Sequence, residues 1–170
     1  QCTSDLLPSD ITGLSIFDRE KNNFRFIEGP VFNNLVLLDE VNRAMPKAQS
    51  AMLEAMEEMR VTVEGTTYSL PNPFMVIATQ NPTEQIGTFP LPESQLDRFL
   101  AATDIGYPPA ELEQQIIQRG SLRRQLDQLT PKLGRTQILE AREAVTQIRL
   151  SQKVAVYIYS LIEASRNHPM

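Results

Sequence analysis

The chain has 170 residues, of which 41% are hydrophobic and 22% charged, as in soluble domains with a sizeable core. The formal charge of −5 and the isoelectric point near 5.0 argue against a surface built to bind nucleic-acid phosphates. No apolar run approaches the roughly 20 residues of a membrane span, and the single cysteine, Cys2, excludes an internal disulfide. We therefore expect a protein of a reducing, cytoplasmic compartment without a membrane span.

The first part of the chain predicts a β-hairpin. Turn-forming residues at 7–10 and 12–13 precede two short strands, residues 15–18 and residues 24–27, which would pair across the polar residues 19–23. We expect a surface hairpin without catalytic side chains.

A short apolar strand then stops abruptly at two carboxylates. The four aliphatic residues 35–38 are followed directly by Asp39 and Glu40. Such a run predicts a strand buried on both faces of a parallel sheet, with its carboxyl end where ligands of open α/β sheets bind. This is the arrangement of a Walker B element, in which an aspartate holds Mg²⁺ and the next carboxylate polarises an attacking water. The alternative is a strand that ends in a solvated acidic turn.

A helix and a second hairpin are predicted next. Pro46 suits the first turn of a helix. The apolar residues that recur at helical spacing, and that we expect in the core, are Ala48, Met52, Met56 and Met59. Strands at 60–63 and 66–68 would flank a tight turn at Glu64-Gly65. This hairpin either is solvated or contacts a partner.

A second apolar run, residues 73–78, ends at Thr79-Gln80-Asn81-Pro82. If it lies parallel to the first strand, Asn81 reaches the edge that carries Asp39 and Glu40. An amide there can hydrogen-bond a γ-phosphate oxygen or orient the attacking water. The alternative is an asparagine that caps a turn, which Pro82 would help to fix.

A short helix is predicted to begin at Pro92-Glu93 and to end near Arg98. The arginine either pairs with Asp97 or Glu93, or points at phosphates bound by another subunit. Guanidinium is always charged and binds phosphate oxygens bidentately, so it suits the second role as well as the first.

The rest of the chain is predicted to be helical. Residues 106–109 would form a turn before an amphipathic helix, residues 112–126, in which Gly120-Ser121 is an expected break. A second helix is predicted after Gly134 and a third after Ser151, a good N-cap residue. Three such helices would form a small bundle.

Four motifs, in this order and spacing over residues 29–99, resemble the MoxR family of AAA+ ATPases: GPVFNNLVLLDEVNRA, QSAMLEAMEE, ATQNP and LPESQLDRF. The resemblance implies an α/β fold, with a P-loop NTPase (AAA+) core that contains a parallel sheet and β-hairpin inserts, followed by a small α-helical lid domain. Residues 1–104 would form a partial core, and residues 105–170 an incomplete lid. The family also implies a homo-oligomeric ring, commonly a hexamer.

The resemblance gives each candidate site residue a role. Asp39 and Glu40 match the Walker B pair, with Asp39 on Mg²⁺ and Glu40 as the residue that activates water. Asn81 matches the sensor 1 residue, and Arg98 matches the arginine finger that acts on ATP bound by the neighbouring subunit. The implied activity is Mg²⁺-dependent ATP hydrolysis that drives chaperone-like remodelling of partner proteins, often proteins with von Willebrand factor A domains.

The family's P-loop, G-x-x-x-x-G-K-[ST], does not occur in these 170 residues. The resemblance places it upstream of Gln1, so we expect these residues alone to bind ATP poorly. Two other hypotheses stay open. One is a non-catalytic ring subunit that lends Arg98 to a neighbour. The other is a nucleic-acid motor. The second hairpin argues against it, because it carries Arg60 but also the acidic Glu64, and it has no cluster of basic residues to bind phosphates.

Overall fold

The structure, a computed structural model, describes residues 1–81, 87–119 and 128–168. By compactness the chain separates into two units, residues 1–119 and residues 120–170. The domain boundary expected from the sequence, between residues 104 and 105, stays a prediction. The expected turn at Pro82 and the expected helix break at Gly120-Ser121 lie outside the described residues.

The first unit contains short helices and three pairs of strands among its described residues. In chain order the elements are α1 (Pro8–Thr12), β1 (Gly13–Asp18), β2 (Asn23–Glu28), β3 (Leu35–Leu38), α2 (Pro46–Glu58), β4 (Arg60–Val63), β5 (Thr66–Ser69), β6 (Met75–Ala78), α3 (Glu93–Leu96) and α4 (Ala110–Arg119). Two 3₁₀ turns, Pro30–Phe32 and Val41–Arg43, precede and follow β3. β1 pairs with β2 and β4 pairs with β5 in antiparallel hairpins, whereas β3 and β6 pair in parallel.

Both hairpins confirm the sequence prediction. The turn between β4 and β5 has Glu64 at φ 50° and Gly65 at φ 80°. Positive φ at both central residues is the reason why two-residue turns of this kind favour glycine. The two hairpins meet where the ring of Phe26 stacks on Tyr68, with the ring centroids 4.1 Å apart.

The parallel pair places two strand ends at one edge. β3 and β6 run in register from Leu35 opposite Met75 to Leu38 opposite Ala78, so the predicted parallel pairing is confirmed. The expectation that β3 is buried on both faces is wrong. Leu38 is buried, whereas Leu35 and Leu37 are 59% and 61% exposed, because the hydrophobic core of the unit lies on one face of the pair.

Helix α2 supplies much of that core. It begins at Pro46, where a missing N–H has no cost, as the sequence predicted. Ala48 and Met52 are buried, and Met56 packs against the same cluster. Met59 ends the helix in a left-handed conformation at φ 54°. The methionines of this helix therefore act as packing residues, which confirms the prediction for Met52 and Met56.

Helices dominate the remaining described residues. Residues 101–109 contain no helix or strand, and the second unit contains α5 (Arg135–Thr146) and α6 (Gln152–Arg166). Ser151 caps α6 by accepting a hydrogen bond from Val154 N–H at 3.4 Å, so its predicted N-cap role is confirmed. The assembly of these helices into a lid stays a prediction. Within the described part of the chain, no helix has the length and apolar character needed to cross a bilayer.

Candidate functional site

The parallel ladder continues past the last residues of β3 and β6. Thr79 N–H donates to the Leu38 carbonyl at 2.9 Å, and Val41 N–H donates to the Thr79 carbonyl at 2.9 Å. These bonds extend the pairing of the two segments by one residue beyond the strands, so that Asp39 lies beside Thr79. The structure thus brings the polar ends of both strands together at the carboxyl edge of the pair.

Thr79 joins the two acidic residues through its side chain. Its Oγ1 donates to Asp39 Oδ1 at 2.7 Å and accepts a hydrogen bond from Glu40 N–H at 2.9 Å. The Asp39 carbonyl accepts a hydrogen bond from Cys2 N–H at 2.8 Å. An ionised carboxylate can accept about four hydrogen bonds, so the single bond from Thr79 orients Asp39 and leaves it capacity for a ligand.

Glu40 has an unusual backbone conformation for a residue with a side chain. Its φ of 55° and ψ of 52° are left-handed, a region that costs about 1–3 kcal/mol for non-glycine residues and is enriched at functional sites. Its Oε2 accepts hydrogen bonds from Gln1 Nε2 at 3.0 Å and from Arg43 Nη1 at 3.2 Å. The left-handed conformation turns the chain away from the direction of β3 and precedes the 3₁₀ turn Val41–Arg43.

Asn81 reaches the same 3₁₀ turn through its backbone. Its carbonyl accepts a hydrogen bond from Nδ2 of Asn42, at 3.3 Å. Asn42 is buried, and its Oδ1 has no hydrogen-bond partner within the part of the chain that the structure describes. The structure therefore places Asn81 two residues along the chain from Thr79 and beside the turn that follows Glu40, while the role of its amide stays a prediction.

Arg98 has a different partner from those that the sequence offered. Its Nη1 lies 2.9 Å from Glu57 Oε2 on α2, and neither Asp97 nor Glu93 forms an ion pair with it. The reason is tertiary, since α3 ends next to α2. The two side chains of the pair are 40% and 59% exposed, and they line an open, polar cavity of about 670 Å³ between α2, the β4–β5 hairpin and α3.

Two residues with several contacts near the site, Thr79 and Gln49, were not among the candidate site residues predicted from the sequence. Gln49 is buried, and its Nε2 lies 3.2, 3.1 and 2.8 Å from the carbonyl oxygens of Val41, Ala44 and Phe89. The sequence did contain a signal for Gln49. It lies four positions before Leu53, and because residues four apart share a helix face, this spacing places a polar side chain on the buried face of α2. The signal for Thr79 was its place one residue after β6, matching that of Asp39 after β3.

The acidic edge also affects a buried thiol. Burial raises the pKa of Cys2, and the carboxylates of Asp39 and Glu40 raise it further. A thiol with a raised pKa stays protonated at neutral pH and is a poor nucleophile. Cys2 is therefore a packing residue beside the acidic edge.

The oxygen donors at this edge fit Mg²⁺. Mg²⁺ keeps several waters and is usually bound by one or two carboxylates together with substrate phosphates. Among residues 1–81, 87–119 and 128–168, no group of three or more His, Cys, Asp or Glu side chains could enclose a metal ion. Asp39 and Glu40 are the carboxylates at this edge that would hold such an ion.

Comparisons with known proteins identify the family of this chain. A family model, ATPase family associated with various cellular activities (AAA), matches residues 1–101. Chaperone MoxR1 of Mycobacterium tuberculosis is 50% identical over 119 residues, which are 70% of this chain and 32% of MoxR1. The chain belongs to the MoxR family of AAA+ ATPases.

Two further relatives cover almost all of this MoxR-family chain. Uncharacterized protein YeaC of Bacillus subtilis is 43% identical over 169 residues, which are 99% of the chain and 53% of YeaC. A crystal structure of a candidate ATPase from Cytophaga hutchinsonii superposes with a TM-score of 0.81 at 44% identity, over 96% of this chain and 50% of that one. The predicted fold class, α/β with a P-loop NTPase (AAA+) core, is confirmed. The chain spans about half the length of these two relatives.

Proposed function

We propose that the full-length protein containing this MoxR-family chain binds ATP with Mg²⁺ and hydrolyses it at the interface between subunits of a homo-oligomeric ring, commonly a hexamer. The observation that carries the proposal is the acidic edge itself, where Asp39 and Glu40 follow a parallel strand and are joined by Thr79. Membership of the AAA+ ATPase family supports the same activity.

The two carboxylates have separate roles in this proposal. Asp39 would hold Mg²⁺, which when bound neutralises charge on the phosphates, and Glu40 would take the proton of the attacking water. Successive side chains of an extended strand point to opposite faces. The left-handed backbone of Glu40 ends that alternation directly after Asp39, which supports a single site that both carboxylates serve.

Asn81 would act on the same reaction from the segment that follows β6. Its amide can donate a hydrogen bond to a γ-phosphate oxygen or accept one from the attacking water. The bond from buried Asn42 to the Asn81 carbonyl ties this residue to the turn after Glu40, which supports a fixed distance between amide and acidic pair.

Arg98 would act on ATP bound by the neighbouring subunit. In the described part of the chain its ion-pair partner is Glu57, rather than either residue of the acidic edge. A guanidinium has five N–H donors, so the contact between Nη1 and Glu57 leaves donors for a phosphate. The exposure of the Arg98 side chain supports action outside its own subunit.

Turnover would drive chaperone-like remodelling of partner proteins. The name of one relative, Chaperone MoxR1, supports this part of the proposal. Partner proteins with von Willebrand factor A domains belong to the proposal because the resemblance to the MoxR family implies them.

The test is the variant Glu40→Gln in the full-length protein. It keeps the shape of the side chain and removes the general base, so we expect ATP turnover to fall by about 10²–10⁴-fold. ATP affinity should change by less than about threefold, because the substitution removes proton transfer in the transition state and leaves the contacts that bind ATP in the ground state. Phosphate release measures turnover, and calorimetry with Mg²⁺-ATP measures affinity.

The matched control is Glu20→Gln, an exposed carboxylate in the loop between β1 and β2, which should keep the wild-type rate. A wild-type protein that binds a ring partner but does not hydrolyse ATP would contradict the proposal and favour a non-catalytic subunit that lends Arg98. Undiminished turnover of Glu40→Gln would contradict the role of Glu40 alone.

A further inference from the structure

The hydroxyl of Thr79 contacts both acidic residues, and the proposed function gives it no role. We propose that Thr79 is the positioning residue of the acidic pair: it orients the Asp39 carboxylate and holds the Glu40 backbone in its left-handed conformation. This inference rests on the proposed function, since it concerns how the same site is kept ready for Mg²⁺ and water.

Four consecutive residues contact Thr79 through hydrogen bonds. Its N–H donates to the Leu38 carbonyl, its hydroxyl donates to Asp39 Oδ1 and accepts from Glu40 N–H, and its carbonyl accepts from Val41 N–H. The bonds to Leu38 and Val41 fix the register of the Thr79 backbone on both sides of the acidic pair. The side chain of Thr79 is therefore held in place by more than its own two contacts.

The direction of the hydroxyl hydrogen follows from these contacts. A hydroxyl has one hydrogen and two lone pairs. An ionised carboxylate can only accept and an amide N–H can only donate, so the hydrogen of Thr79 must point to Asp39 and a lone pair must face Glu40. Hydrogen bonds in such a chain polarise one another, and a bond to a charged carboxylate is stronger than a neutral one.

Loss of the hydroxyl would affect both acidic residues. The Asp39 carboxylate would lose the donor that orients it, and the Glu40 N–H would lose the acceptor that supports a disfavoured φ of 55°. Outer residues that orient a metal ligand typically contribute about 10–100-fold to metal affinity or activity. The effect should therefore appear in the Mg²⁺ dependence and in the Glu40 backbone, as well as in the rate.

The experiment compares two substitutions in the full-length protein. Thr79→Val keeps the branched shape and removes the hydroxyl, whereas Thr79→Ser keeps the hydroxyl. We expect Thr79→Val to lower kcat by about 10–100-fold and to raise the Mg²⁺ concentration for half-maximal turnover by about tenfold. KM for ATP at saturating Mg²⁺ should change by less than about threefold. Thr79→Ser should stay within about threefold of the wild type in all three quantities.

A readout without turnover is amide hydrogen exchange at Glu40 in the nucleotide-free protein. Thr79→Val should speed this exchange by about tenfold or more, since the amide loses its acceptor, whereas Thr66→Val, an exposed threonine of β5, should not. If Thr79→Val does not fold, Thr79→Ala removes the same hydroxyl without added bulk.

Three outcomes would overturn the inference: wild-type Mg²⁺ dependence in Thr79→Val, wild-type exchange at Glu40 in that variant, or an equal loss in Thr79→Ser. Failure of the proposed function is distinguishable, because it would appear as absent turnover in the wild-type protein. In that case the exchange at Glu40 still tests whether Thr79 holds the acidic pair.

Discussion

The acidic edge and the Arg98 region differ in how firmly the chain holds their charged groups. At the acidic edge, Asp39 and Glu40 are held by backbone and side-chain hydrogen bonds from Thr79 within a parallel pair of strands. Among the residues that the structure describes, the Arg98 side chain is held by an exposed ion pair with Glu57. Exposed pairs of this kind contribute only about 0–1 kcal/mol. The chain thus holds the acidic pair through several hydrogen bonds of its own, whereas the weak partner of Arg98 is one that, in the proposed function, a neighbour's phosphate would replace.

Hydrogen bonds of the buried residues Gln49 and Asn42 lie between the two regions. Gln49 contacts the carbonyls of Val41 and Ala44, next to the acidic edge, and that of Phe89, in the segment that leads to α3 and Arg98. The Phe89 N–H in turn donates to the Asn42 carbonyl at 2.6 Å. These hydrogen bonds link the turn after the acidic edge to the segment that leads to α3, all within the first unit.

The largest expected effect is at Arg98. Arg98→Ala in the full-length protein should lower ATP turnover by about 10³-fold or more, because an arginine finger stabilises charge that develops on the transferred phosphoryl group. Mg²⁺-ATP affinity, measured by calorimetry, should stay within about threefold of the wild type. Arg25→Ala, an exposed arginine of β2, is the matched control and should leave phosphate release unchanged.

Mixing inactive variants tests whether Arg98 acts on a neighbouring subunit. An interface between an Arg98→Ala subunit and a Glu40→Gln subunit can combine an intact acidic edge with an intact arginine, so turnover should reappear in mixed rings. Turnover equal to the wild type in Arg98→Ala alone would remove this residue from the mechanism and break the comparison.

An intermediate effect is expected at Gln49. Gln49→Met keeps the length of the side chain but removes the donor that serves three buried or half-buried carbonyls. Leaving such acceptors unpaired should lower the free energy of unfolding by about 1–3 kcal/mol. Urea unfolding of the full-length protein, compared with Gln114→Met at an exposed position of α4, measures the difference. Equal unfolding midpoints for both variants would show that the contacts of Gln49 do not stabilise the fold.

The smallest effect is expected at Glu57. Glu57→Gln removes the charge that pairs with Arg98, and since the pair is exposed, turnover should change by about fivefold or less. Glu54→Gln, which removes a carboxylate from the same helix and the same cavity, is the matched control. If phosphate release by Glu57→Gln fell as far as in Arg98→Ala, Glu57 would be required to position Arg98. The acidic edge and the Arg98 region would then not differ in how firmly their charged groups are held.

Much of the local structure was predictable from short stretches of sequence. Pro46 and Ser151 mark the starts of α2 and α6, Gly65 marks the turn between β4 and β5, and an apolar run marks β3. Each of these signals depends on steric or hydrogen-bonding preferences that act over a few residues. The same locality explains why the ends of β3 and β6 already indicated Asp39, Glu40 and Asn81 as site candidates, once a parallel pair was assumed.

The contacts that decide the site join residues far apart in the chain. Thr79 and Asp39 are 40 positions apart, and so are Gln49 and Phe89. Tertiary packing also chose Glu57 rather than Asp97 as the partner of Arg98, and covered Leu38 but not Leu37 on β3. Short stretches of the chain were enough to indicate which segments are strands and helices and which side chains end them, because those preferences are local. Which of those side chains touch was decided by the register and packing of whole elements, since a single-residue change of register would move every contact to the opposite face.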